Sequence, residues 1–443
     1  MALPHGLKVL LPVLALVAAA PAMAQPDYAA AIKADYDKDL GALWDHFHRN
    51  PELSHMEVKT AARMAKELRA TGAEVTEKVG GTGVVAVLRN GPGPVVLLRA
   101  DMDGLPVKEA SGLSNMSVAR QVGVDGIENP VMHACGHDTH IVGLVATARR
   151  LVAMKDRWSG TVVMIGQPAE ERIAGAKAML ADGLYTRFPK PDYALAWHVN
   201  SLLPTGTVSA SEDIQYSSSD SIDITVPGVG AHGAAPHTGK DPVYIASQLV
   251  IALQGIISRE KPPLKPGVIT VGAFHAGTKH NIISDHADLQ VTVRANDEDT
   301  RAMLIAAIRR VSANVGRLNG LPEDKLPVVK VIEGTPVTKN DPALTRRLNA
   351  VMVQTLGEEA VVPFEQKTMG AEDFAYFVQA DHKVPGYYFA VGGTPRAALD
   401  AAEAGGPPVP SHHSPLFKIA PEPAIVTGAT AMTAAVLELM KKP

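Results

Sequence analysis

The sequence predicts an α/β protein: a layered domain with a mostly parallel central sheet, interrupted by an inserted α+β domain of four strands and two helices. Three observations lead there. Strand and helix patterns alternate from residue 83 to residue 198. Near residue 215 the pattern changes to a self-contained set of strands and helices, and it changes back after residue 334. A chain of 443 residues also exceeds one ordinary core, which makes two domains the prior.

Residues 28–50 have apolar positions at helical spacing and stop at Pro51, and 58–70 form a second helix closed by Gly72. Strands follow at 83–88 and 95–99, the latter apolar on both faces like a buried parallel strand. Asp138 is placed to cap a helix over 141–154. Then come a strand at 161–165, a loop at 166–171, and a helix at 174–181 ending through Asp182 and Gly183. A strand at 193–197 delivers His198. The expected insertion, 215–334, has strands at 219–226, 268–271, 289–293 and 328–332, with helices at 243–257 and 300–315. Residues 344–356 resume helix, so 25–214 and 335–443 form the first domain, and the Gly/Pro-rich stretch 403–410 is a loop.

Residues 1–24 have the form of a secretory signal: Lys8, a short apolar run over 9–20, and Ala22-Met23-Ala24 before Gln25. An uncleaved N-terminal anchor is the alternative. The mature chain is expected to be periplasmic or secreted and free of the membrane. A net charge of −4 without a basic run argues against nucleic acid.

The only cysteine, Cys135, lies in Met132-His133-Ala134-Cys135-Gly136-His137-Asp138-Thr139-His140, so no disulfide forms within the chain. An inert thiol, a nucleophile and a metal thiolate remain. Polar groups also gather at other strand ends: Asp101 and Asp103, Glu170 and Glu171, and His198. Ligands collect at the carboxyl ends of strands in open α/β sheets. A thiolate, imidazoles and a carboxylate suit zinc, with manganese, cobalt or nickel possible. Of two adjacent glutamates, one can hold a cation while the other takes a proton from a water that the cation acidifies. A Cys/His thiol hydrolase would leave the glutamate pair without a task. There is no Gly-x-Ser-x-Gly elbow, and Thr238-Gly239-Lys240-Asp241 lacks the Ser or Thr of a phosphate loop.

These motifs resemble a family. They are residues 98–106, Met132 to His140, Pro168-Ala169-Glu170-Glu171, 231–237, Met369-Gly370-Ala371-Glu372-Asp373-Phe374 and His413-Ser414-Pro415-Leu416-Phe417. The chain resembles the dinuclear-metal amidohydrolases and carboxypeptidases that include aminoacylase, and most of all the branch of hippurate hydrolase and the indole-3-acetyl-amino-acid hydrolases. The resemblance implies two divalent ions per chain, held by Cys135, His137, Glu171, His198 and His413. It implies Glu170 as general base. It also implies that His232, in the inserted lid and dimerisation domain, reaches the partner subunit's site to stabilise the oxyanion, so a homodimer is expected.

Asn281 and Gly370 resemble positions beside the substrate. Asp101 and Asp103 are read as groups that orient ligands. His413 is preferred to its neighbour His412, and His140 and His237 are read as structural. Arg294 is left between a substrate carboxylate and a salt bridge within the lid. The expected reaction is hydrolysis of N-acyl amino acids or related small amides. The rivals are a carboxypeptidase or dipeptidase on the same scaffold and, from another class, an exported solute-binding protein.

Overall fold

The structure, a computed structural model, describes residues 28–379 and 382–442. The signal expected at 1–24 lies outside the described residues. The larger sheet has seven strands in the order Glu74–Val79, Gly83–Asn90, Gly160–Gln167, Val95–Asp101, Tyr193–Pro204, Gly386–Thr394 and Val208–Ser209. The four strands from Gly160–Gln167 to Gly386–Thr394 run parallel, and the flanking strands pair antiparallel. The predominance of parallel pairing expected from the sequence therefore holds in the middle of the sheet.

The apolar runs become two covered faces. Leu98, Met164, Leu195 and Trp197 pack with helices His137–Ala153 and Pro421–Leu439 in one cluster. Leu97, Val163, Ile165 and Ala196 pack with Gly175–Ala181 and the 3₁₀ segment Asp373–Val378 in another. Burying each such aliphatic side chain is worth about 1.5–3 kcal/mol. This two-sided burial is why the strands read as continuous apolar runs.

Two local readings change. The first helix contains a π turn at Tyr36–Leu40, with the Gly41 amide bonded to the Tyr36 carbonyl. Asp138 is not the cap of the next helix. That helix begins at His137 behind Gly136, whose φ is +82°. Asp138 lies inside the first turn, where its Oδ2 is 2.8 Å from Nδ1 of buried His48.

The smaller sheet is wholly antiparallel, in the order Gly267–Ala276, His286–Ala295, Ser218–Pro227 and Val328–Thr335. Helices Pro242–Gly255 and Glu298–Leu318 cover one face and share a core with Ile222, Ile224, Leu289 and Val293. Asp241 and Asp297 cap these helices by accepting bonds from the Val243 and Thr300 amides. The chain enters and leaves this unit side by side, because Ile214–Tyr216 pairs antiparallel with Thr338–Lys339.

Candidate metal centre

Three adjacent strands bring their ends to one edge of the large sheet. Asp101 closes one of them in register with Gln167, and the Glu170–Arg172 turn follows Gln167. The third strand pairs with Val95–Asp101 only as far as Ala196, so His198 lies where that neighbour has turned away. Gly136 lets the cysteine loop press against this edge. A Cβ there would meet Val199 Cγ1 at 2.5 Å, and the positive φ already favours glycine.

Backbone contacts fix which nitrogen each histidine presents. His137 Nδ1 donates to the Asp103 carbonyl at 2.8 Å, which leaves Nε2 as a buried lone pair without a hydrogen bond. His198 Nδ1 donates to the Val199 carbonyl at 2.6 Å, and Nε2 faces Cys135 Sγ at 3.4 Å. His413 turns Nε2 toward Glu171 Oε2 at 3.4 Å. Its neighbour is oriented differently: His412 Nε2 accepts from the Ser201 amide at 3.3 Å, so Nδ1 carries the proton and points to Cys135 Sγ at 3.7 Å. His412 is thus a donor to the sulfur, with no lone pair to offer. His140 is also committed, since Nε2 accepts from the Val199 amide at 2.9 Å and Nδ1 donates to Asp101 Oδ1 at 2.5 Å. Burial, with only partial compensation from Asp101, pushes His140 down to about 3.

Ligand-type atoms of Cys135, Glu171 and His413 lie within 4.8 Å of one another, as do those of His137, Glu170 and Glu171. Glu171 belongs to both groups, and its Oε1, like His137 Nε2, is buried without a hydrogen bond. Such orphaned lone pairs would be costly unless a cation received them. The electrostatics agree. Burial opposes charge on His137, yet Asp101, Asp103 and Glu171 lift it to about 10, so the surrounding carboxylates attract positive charge to Nε2, whether a proton or a cation. Burial, then Glu171 and Glu170, pushes the Cys135 thiol well up. A nucleophilic cysteine needs the opposite surroundings, whereas a cation would hold the thiolate here. The donor set fits two divalent cations.

Asp101 and Asp103 are buried and paired beside these groups, and Asp101 offers an oxygen within 4.8 Å of ligand-type atoms of His137, His140 and His198. Asp101 is opposed by burial but held ionised well below its usual range by Arg99, with which it pairs at 2.6 Å. Asp103 Oδ2 accepts from the Glu171 amide at 3.0 Å and from Ser54 Oγ at 2.6 Å. Burial, then Glu372 and Glu171, raises Glu170 well above the usual carboxylate range, which suits a proton acceptor. The turn carrying this pair is strained. Ala169 (φ +48°) and Ile173 (φ +52°) flank it in the left-handed region, at about 1–2 kcal/mol each.

The remaining expected residues share no hydrogen bond with this cluster among the described residues. His232 is exposed on the short strand Ala231–His232, and its Nδ1 accepts from the Ala234 amide at 3.0 Å. Among the described residues its hydrogen bonding stays local. Asn281 is exposed and accepts from the Gly233 amide through its carbonyl at 2.9 Å. Gly370 accepts from the Ser217 amide at 2.8 Å, where the chain enters the insertion. Arg294 is partly buried, and no carboxylate pairs with it among the described residues, so the salt-bridge reading is set aside.

Residue-by-residue reading missed the buried network behind the site. Arg99 donates to Gln167 Oε1 at 2.8 Å and to Glu372 Oε1 at 2.6 Å, and the Tyr388 hydroxyl donates to Glu372 Oε2 at 2.5 Å. The only signal for Glu372 was its place in the Met369 to Phe374 motif. Glu57, whose carboxylate accepts from the Ala169 amide at 2.8 Å, carried no signal at all.

Comparisons with known proteins accord with this geometry. The model for peptidase family M20/M25/M40 matches residues 97–420. Thermostable carboxypeptidase 2 of Saccharolobus solfataricus is 39% identical over 350 residues, covering 78% of this chain and 83% of that one. Hippurate hydrolase of Campylobacter jejuni is 37% identical over 346 residues, covering 78% and 86%. The crystal structure of a Bacillus subtilis protein described as a dinuclear metal binding peptidase superposes with a TM-score of 0.73 at 26% identity, covering 93% of this chain and 99% of that one.

Proposed function

The chain belongs to peptidase family M20/M25/M40, and from that premise we propose that it is an exported amidohydrolase cleaving N-acyl amino acids or related small amides. It is a metal-dependent hydrolase of amide bonds. The observation that carries the reading is the clustering of ligand-type atoms of Cys135 and His413, and of His137 and Glu170, about Glu171, with His198 Nε2 3.4 Å from Cys135 Sγ and with His137 Nε2 and Glu171 Oε1 buried without hydrogen bonds. Two divalent cations, zinc first and manganese, cobalt or nickel as rivals, would acidify a water and polarise the amide carbonyl. Glu170 takes the proton from that water and returns it to the leaving nitrogen. Asp101 and Asp103 keep the ligands aimed. An amide is cut into a carboxylic acid and an amino acid.

The hippurate hydrolase relative supports an acyl-amino-acid substrate. The unpaired Arg294 guanidinium, on the face of the smaller sheet away from its helices, supports a carboxylate on that substrate. The carboxypeptidase relative favours a second reading, a dipeptide or peptide C-terminus. His232 acts in this proposal from the inserted domain of a partner subunit, beside Asn281 and Gly370. Its exposure, and an Nε2 without a hydrogen bond among the described residues, support that role.

The deciding experiment is a hydrolysis panel of N-acyl amino acids and dipeptides, run on chelator-stripped protein reconstituted with each metal, with Glu170→Gln in parallel. Faster cleavage of acyl amino acids, lost in Glu170→Gln while metal stays bound, is the expected result. Preference for dipeptides selects the second reading, and wild-type turnover by Glu170→Gln removes the base. Recovery of activity on mixing inactive His232→Ala and Glu170→Gln chains under subunit exchange tests the shared site. The N-terminal mass of protein recovered from cell fractions tests export.

A further inference from the structure

We propose that Glu57 is a positioning residue that locks the strained turn carrying Glu170 and Glu171 into its working shape. The inference rests on the reading of Glu170 as base and Glu171 as ligand. The turn is a single 3₁₀ segment between two non-glycine residues in the left-handed region, Ala169 (φ +48°, ψ +42°) and Ile173 (φ +52°, ψ +35°). A turn so built relaxes unless its surroundings hold it. Its exit is held from within: the Ile173 amide bonds to the Glu170 carbonyl at 2.7 Å, and the Ala174 and Gly175 amides bond to the Ala169 carbonyl at 3.2 Å each. Its entry is held from outside, by the Ala169 amide donating to Glu57 Oε1 at 2.8 Å.

Glu57 is free of the helix-capping duty that its position suggests. It is fully buried and sits at the cap position of helix Val58–Ala70, yet its carboxylate makes no capping bond. Its carbonyl serves that helix instead, accepting from the Ala61 amide at 2.9 Å. The carboxylate is committed to other segments. Oε1 also accepts from the amide of His55, another left-handed residue (φ +68°), at 2.9 Å, and Oε2 accepts from Thr82 Oγ1 at 2.5 Å. One oxygen thus clamps two strained turns face to face. Ser54, from the same loop, bonds the Asp103 carboxylate that receives the Glu171 amide. The segment 54–57 therefore reaches the glutamate turn twice, directly at the Ala169 amide and through Asp103 at the Glu171 amide.

The test uses full-length, metal-loaded protein and the fastest-cleaved amide of the panel above. Glu57→Ala is expected to lower kcat about 100-fold, the cost of displacing a reacting group by about 1 Å. KM and metal content should stay near wild type, and amide hydrogen exchange over 168–175 should rise. Glu57→Gln keeps a carbonyl oxygen for both amides and should recover to within about fivefold of wild type, as expected if acceptance rather than charge matters. Glycine enters the left-handed region freely, so Glu57→Ala/Ala169→Gly should regain at least about tenfold over Glu57→Ala. A residue that merely stabilised the fold would show no such rescue. If Glu57→Ala does not fold, Glu57→Asp withdraws the oxygen by one methylene and is tested with the same glycine partner. Folded, metal-loaded Glu57→Ala with kcat within threefold of wild type overturns the proposal, as does a double variant no faster than the single. Glu170→Gln separates the two levels: if it is dead while Glu57→Ala is active, only this inference fails, and if it is active the base assignment fails first.

Discussion

Gly136→Ala alters neither proposed ligand nor base, yet it strikes the joint between Cys135 and His137. Gly136 has φ +82°, and an added Cβ would lie 2.5 Å from Val199 Cγ1. Left-handed alanine costs about 1–2 kcal/mol, and an overpacked methyl in a close-packed interior about 1–3 kcal/mol. Both costs are relieved if the loop lifts from the sheet, which moves Sγ and Nε2 out of register with His198 and Glu171. The metal-holding geometry is therefore penalised by roughly 2–5 kcal/mol, or about 30-fold to a few thousand-fold in metal affinity. Competition of each protein against a graded series of chelators measures this, with thermal unfolding of the stripped proteins as the reference. Wild-type metal retention by Gly136→Ala would refute the reasoning, because it would mean that the loop holds the ions without pressing on Val199.

Arg99→Met strands Asp101 and Glu372 in a dry interior. It should cost about 3–5 kcal/mol, a fall of roughly 3–8 °C in unfolding midpoint, and Arg99→Met/Glu372→Gln should lose less than the two singles together. Burial opposes charge on His48, but Asp138 and Glu109 lift it to about 10, above the unfolded value near 6.5. Its stabilisation is thus fully present below about pH 6.5 and is lost as pH rises through about 10, amounting to a few kcal/mol. Denaturation midpoints should fall over that window in wild type and stay flatter in His48→Gln; equal slopes would contradict the assignment. After chelator stripping, the Cys135 thiol remains protonated, because burial and then Glu171 and Glu170 push it up. Alkylation of the folded, stripped protein at pH 8.5, followed by mass, should be far slower than that of the denatured chain, and equal rates would sink the account.

The layered domain was legible because strands such as Val95–Asp101 are apolar on both faces, which is the mark of burial between helix layers. The insertion was legible from the alternation of Ser218–Pro227, one face of which is wet. Cys135, Glu170 and Glu171 were found as a pattern of residue types, and the family resemblance supplied their roles. What escaped depends on contacts distant in sequence. An aspartate before a helical run is the ordinary sign of a cap, but His48 lies across the helix and claims Asp138. The choice between His412 and His413 rests on which nitrogen the Ser201 amide engages, and a linear reading does not contain that. Glu57 looks like any acidic residue ahead of a helix until the Ala169 amide is seen to end on it.

The side-by-side entry and exit of the insertion bear on how the chain folds. Strands Tyr193–Pro204 and Gly386–Thr394 are neighbours in the large sheet, yet the whole insertion lies between them in sequence. Closing that loop from a disordered chain is entropically uphill, and each halving of its length saves about 0.6 kcal/mol. The insertion's first and last strands pair directly, Ser219 against Thr335, so once it has condensed it contributes almost nothing to the loop. The insertion should then gain structure early in refolding and act as a staple for the two halves of the catalytic sheet. Destabilising its core, for example with Leu289→Ala, should slow formation of a sheet it does not belong to.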